Sequence, residues 1–175
     1  MEKILEKISE YELFNNLLPG TLFFVLLEWR TGVQLNEDDV IIKILVFYSF
    51  GLIIGRFGSL VVEPFCKFFN LIQFSDYSSY IIASERDPII KTLSTKNNMY
   101  RTFLAMSILY TVFPLSELCI DFFSSTPFSA QPIIETIGAL LITYLFFRSY
   151  EKQTTYIRIR INACTQENQR GDQRK

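Results

Sequence analysis

The sequence contains no histidine, and its three cysteines, Cys66, Cys119 and Cys164, lie far apart without a CxxC pair. Lacking imidazoles and paired thiols, the chain offers neither an ordinary zinc site nor a disulfide framework. The same absence removes the commonest general base, and no GxSxG elbow, phosphate-binding GxxxxGK[ST] loop or DxxD acid pair stands in for it. Catalysis, a cofactor and a metal are therefore not expected. Charge of one sign is also missing, since 17 basic and 18 acidic residues leave a formal net charge of −1. The total gives no electrostatic footprint for nucleic acid, so direct nucleic acid binding is not expected either. Residues 1–12 alternate Glu and Lys with Ile and Leu and lack the basic start and small-residue cleavage site of a signal peptide. They are read as an amphipathic cytoplasmic N-terminus of a mature chain.

Apolar residues are plentiful: 49% of the chain is hydrophobic, 17 residues are Phe, and mean hydropathy is +0.22. A helix needs ~20 apolar residues to cross ~30 Å of hydrocarbon, and four stretches approach that length. They run over Leu13–Trp29, Val40–Val62, Thr102–Phe123 and Pro127–Phe147. The first is interrupted by Asn15, Asn16, Pro19 and Gly20, and reads either as a span or as an interfacial or re-entrant helix. The expected fold is all-α, a four-helix transmembrane bundle with a small cytoplasmic helical region. Its parts are a first hairpin over 13–63, a cytoplasmic connection over 64–101, a second hairpin over 102–147 and a cytoplasmic tail over 148–175.

Orientation follows from Lys and Arg, which collect on cytoplasmic flanks. Residues 1–12, the connection and the tail hold 14 of them, against Arg30 alone in the opposite loops. That bias places both termini in the cytoplasm of a bacterial inner-membrane protein and calls for an even number of crossings. Within the connection, Asp76 can cap one helix and Asp87-Pro88 can open a second that continues through Asn97, Asn98 and Arg101 into the third span. The tail is expected to extend the fourth helix by a few turns and to become polar and disordered from about Gln166.

Several residues invite a role. Arg56 lies deep in the second span, where a cation is costly unless it meets an acid, a carbonyl or water. Glu63 shares its face but lies too far along the helix for a direct pair, which leaves Glu117, Asp121 or Glu135 as candidate partners. Arg56 is thus either a clamp between helices or the lining of an aqueous path. Gly51, Gly55 and Ser59 form a small-residue ridge suited to close helix packing, within the chain or between copies. Asn97, Asn98, Tyr100, Arg101 and Thr102, with Ser149, Tyr150, Gln153, Thr154 and Tyr156 at the matching end of the fourth span, read either as interfacial snorkelling groups or as a purposeful polar cluster.

The segments YELFNNLLPG, GRFGSLVVEP, FSDY, KNNMYRT and SYEKQTTYIRIRI, in that order over roughly residues 8–162, resemble small four-helix bacterial membrane proteins of phage-defence loci. The chain is most similar there to the membrane pore accessory proteins of type VI-B CRISPR systems. The resemblance implies a homo-oligomeric ring in the lipid bilayer that opens when a partnered RNA-guided RNA nuclease is triggered, dissipating the membrane potential. It also implies a remote ribonuclease motif, Arg followed five places later by His. Here Arg148 is followed at that distance by Gln153, and Glu151 by Tyr156, so the motif is not present. The expected function is an oligomeric inner-membrane effector that perturbs or permeabilises the membrane in antiviral defence, accessory to a nucleic-acid-sensing nuclease. The alternative is a membrane anchor or sensor subunit that recruits a cytoplasmic effector without conducting.

Overall fold

A computed structural model describes residues 13–35, 39–124 and 130–172, and every regular element among them is helical. A π-helical turn, Leu13–Leu17, leads into α1, Leu18–Thr31. Next, α2 (Val40–Phe57) passes through a second π-helical turn, Gly58–Val62, into α3 (Glu63–Phe68). After the 69–76 segment come α4 (Tyr77–Arg86), α5 (Ile89–Ser124) and α6 (Ala130–Asp172).

Side-chain propensity alone would not make α2 a helix, because VIIKILVFYSFGLIIGRF is rich in β-branched and aromatic residues. A bilayer would decide instead, since an isolated segment in hydrocarbon satisfies its backbone only by internal hydrogen bonds. Local signals set the ends. Asp39 accepts from the Ile41 N–H at 2.8 Å, Asp76 from the Ser78 and Ser79 N–H groups, and Asp87 from the Ile89 N–H at 3.0 Å. Gly32, at φ 69°, closes α1 in the left-handed conformation with its N–H on the Glu28 carbonyl.

Among the described residues three helices are long and apolar enough to cross a membrane: Val40–Phe68, Ile89–Phe123 and Ala130–Gln166. Their apolar windows are buried unequally, 44% for α5 against 11% and 17% for the other two, which makes α5 the central helix. Leu52, Ile53, Leu60, Ile137, Leu141 and Leu145 are exposed, as lipid-facing positions should be. The first segment differs from these three. Pro19 and Gly20 follow its π-helical turn, and the 14 residues of α1 span only about 21 Å at 1.5 Å per residue. It packs antiparallel on α2, with Asn16 against Gly51 and Phe24 against Phe47.

Close approach explains the glycines. A Cβ on Gly51 would sit 1.7 Å from the Asn16 carbonyl oxygen, and one on Gly20 would sit 1.9 Å from that of Phe47. Gly58 presses on Arg101 and Ala105 of α5. The core then continues through Phe23, Ile54, Val62, Cys66, Leu104 and Tyr150.

A smaller apolar cluster lies beyond it. Ile157 and Ile161 of α6 meet Ala83 of α4 and Ile90 of α5, with Cys164 alongside. This packing holds α6 as far as Cys164, and the helix runs on to Asp172, 43 residues in all, where the polar composition alone suggested disorder from about Gln166. At 1.5 Å per residue α6 is about 64 Å long, more than twice the ~30 Å of a bilayer core. Its last turns must therefore project outside any membrane that it crosses.

Candidate functional site

The charged groups gather at two ends of the bundle. At the loop end, where α5 and α6 are joined, Arg30 bridges Glu117 and Glu135 in an ion-paired triad. Arg30 and Glu135 are nearly buried, with side-chain exposures of 13% and 9%, so α1 is tied electrostatically to both long helices. Gln131 adds a hydrogen bond to Glu135 at 3.0 Å.

At the connection end, α3 brings Glu63 and Lys67 up to α5 and α6. Glu63 accepts from Lys67 Nζ at 2.7 Å and from Arg101 at 2.5 Å. Lys67 also stands 4.7 Å over the Phe74 ring, and Phe74 in turn meets the ring of Tyr150 at 6.3 Å. The Tyr150 hydroxyl is buried close to Arg101 and Glu63. These contacts close a ring of Glu63, Lys67, Phe74, Tyr150 and Arg101. One layer further from the spans, Thr154 donates to the Asn97 side chain at 3.0 Å and Gln153 to the Leu93 carbonyl at 3.1 Å.

The structure therefore brings together Glu63, Arg101, Asn97 and Gln153. Asn98 lies on the same stretch of α5, where its carbonyl accepts from Thr102 at 3.0 Å. Tyr156 points outward, its ring 5.8 Å from the Lys152 ammonium. Glu117 belongs to the opposite end. Arg56 is exposed on the outer face of α2 and has no hydrogen bond or ion pair to a side chain among the described residues. Two of its candidate partners, Glu117 and Glu135, are held by Arg30. Of the small residues, Gly51 and Gly55 face α1 and α5, and Gly58 supplies the third close contact. The Ser59 hydroxyl donates to the Arg56 carbonyl at 3.0 Å.

Two features escape sequence reasoning. Arg30 read as a loop charge, and its partnership with Glu135 spans 105 positions, which no local pattern reveals. Lys67 counted only towards topology, although its i,i+4 spacing from Glu63 is a readable signal. Compared with known proteins, the chain matches no family model, no curated protein and no solved structure.

Proposed function

We propose that this protein is an oligomeric inner-membrane effector that perturbs or permeabilises the bilayer in bacterial antiviral defence. In this reading it has four crossings and cytoplasmic termini, and serves as accessory to a nucleic-acid-sensing nuclease such as an RNA-guided RNA nuclease. Arg56 carries the reading. A guanidinium stays charged under all ordinary conditions, and on an isolated helix at the bilayer centre it costs at least roughly 2.5–3.5 kcal/mol. In a single copy Arg56 lies on the exposed face with Leu52 and Leu60, four residues to either side. A second copy seated on that face, or a water-filled path between copies, removes the cost. The glycine face of α2 is already occupied by α1 and α5, so association falls to this outer face. The defence setting and the ring come from the resemblance in motif order.

One observation favours the anchor or sensor reading. The buried cluster of Ala83, Ile90, Ile157 and Ile161 holds α4 and the far part of α6 together beyond the polar ring, and the exposed Ile81, Ile82 and Ile89 there give a soluble partner an apolar surface.

Mass measurement in mild detergent and in lipid discs, with dye flux from liposomes on the same preparation, tests the proposal. Wild type is expected to be a homo-oligomer that releases dye. Arg56→Leu is expected to change flux or ion preference at normal yield if the residue lines a path. If Arg56 instead clamps copies together, the variant lowers the oligomer yield and flux falls with it. A monomer in both media would sink the assembly, and normal yield with unchanged flux would remove Arg56 from the mechanism.

A further inference from the structure

Between α1 and α6 runs an apolar groove of about 670 Å³, floored by α5. Leu22 and Val25 of α1, Phe103 and Met106 of α5, and Ile142 and Leu145 of α6 line it. Its polar groups are mostly engaged elsewhere. Ser107 and Ser149 donate to the Leu104 and Leu145 carbonyls at 2.9 Å and 2.8 Å, and Glu135 is held by Arg30 and Gln131. A Cβ on Gly138, in the α6 wall, would meet nothing within 4 Å, so the space above that residue is open. On α6 the groove runs from Glu135 to Ser149, about 21 Å at 1.5 Å per residue. One leaflet of a ~30 Å bilayer core is about 15 Å deep, so a full acyl chain fits lengthwise. Spread over that length the groove is roughly 30 Å² in section, whereas a helix 10–12 Å across needs about 80 Å² or more. It has room for a lipid chain and not for a whole helix of a second copy.

Positive charge stands at one end. Lys152 lies three residues beyond Ser149 and seven beyond Leu145 on the same stripe of α6, and Lys96 lies seven residues before Phe103 on the matching stripe of α5. The bonds from Thr154 to Asn97 and from Gln153 to Leu93 set these two stretches side by side. Both lysines are exposed, and neither has an ion pair among the described residues. The neighbouring acid Glu151 is taken by Arg148, and the Tyr156 ring stands 5.8 Å from the Lys152 ammonium. We propose that the groove holds one acyl chain of an anionic phospholipid whose phosphate sits at Lys96 and Lys152. An apolar channel that ends in two free ammonium groups matches an apolar chain that ends in a phosphate, and cytoplasmic basic sites between membrane helices attract such headgroups. The inference rests on the reading that α5 and α6 cross a bilayer with the connection end at its cytoplasmic face.

The test begins with the full chain in native membranes washed in carbonate, where it should stay in the pellet. The chain purified in maltoside is then given phosphatidylglycerol or phosphatidylcholine with the same acyl chains, and retained lipid is counted by native mass spectrometry. Phosphatidylglycerol is expected to be retained about tenfold better or more. Lys96→Gln and Lys152→Gln should each reduce that preference about fivefold at an unchanged melting temperature. Gly138→Phe, which fills the groove, should reduce retention of both lipids without altering the preference for charge. A chain stripped by carbonate would end the membrane reading and this inference with it. A chain that stays in the pellet but retains the two lipids alike would overturn this inference alone. Lower oligomer mass in Gly138→Phe with lipid retention unchanged would also overturn it, and would give the groove to a second copy.

Discussion

At the scale of single residues, backbone contact separates glycines that look alike in the sequence. Gly51 and Gly138 both interrupt apolar helical runs, yet a Cβ at 51 would enter the Asn16 carbonyl while one at 138 would have nothing within 4 Å. Gly51→Leu is therefore expected to push α1 off α2 and cost about 1–3 kcal/mol or more, since overpacking against backbone has no side chain to yield. Gly138→Leu should be nearly silent. Thermal melting of the two variants in the same detergent checks the contrast, and equal losses would place the α1–α2 contact elsewhere. The need for a small residue at 51 is legible in the sequence through its spacing from Gly55. Its partner is not legible, because Asn16 lies 35 positions away in the least helix-like of the apolar stretches. Arg56 shows the same boundary, as its depth can be read from the run around it and its outward face cannot.

At the scale of elements, what a few neighbouring residues determine is readable, and what distant packing determines is not. The starts of α4 and α5 follow from Asp76 and Asp87-Pro88, where side chain and backbone meet within three positions. The length of α6 does not, because Ile157 and Ile161 stay helical through their contacts with Ala83 and Ile90. A polar tie secures that packing: Arg160 Nε donates to Asp87 at 2.5 Å, joining the far part of α6 to the α4–α5 corner. The Arg160 hydrogen bond holds the Asp87 carboxyl below its ordinary value of 3.8. A carboxylate with a lowered folded-state value stabilises the fold above its unfolded value, and loses that contribution as pH falls through the folded one. The tie should thus be indifferent to mild acid and open only below the ordinary carboxylate range. Carbon-detected NMR titration of Asp87 is expected to find it below 3.8 in wild type and raised in Arg160→Gln. Identical titrations in both proteins would mean that the tie does not form in solution.

At the scale of the whole molecule, two physical signals bear on how many times the chain crosses a membrane. Among the described residues three helices qualify by length and apolarity, and a crossing by both α5 and α6 would put the 64–101 connection and the tail on one side. Only residues 1–12 depend on the first segment. On the proposed reading the charge bias draws Lys3 and Lys7 to the side that holds the other 12 of the 14 flanking cations, and that placement would need the first segment to complete a crossing. Its geometry supplies most of one. From Arg30, tied to Glu117 and Glu135 at the loop end, the first segment runs antiparallel to α2 until Asn16, in the π-helical turn, meets Gly51 and Gly55, about half-way along the 29-residue helix Val40–Phe68. Reporter fusions after Lys3, Arg86 and Arg160 are expected to read cytoplasmic, and fusions at Glu37 and Ser125 periplasmic. The fusion after Lys3 is the discriminating one. A periplasmic signal there, with Arg86 and Arg160 still cytoplasmic, would leave three crossings and make α1 a half-span buttress braced by Arg30. A cytoplasmic signal at Glu37 would be a deeper failure, because it would detach the start of α2 from the side on which Arg30, Glu117 and Glu135 are joined.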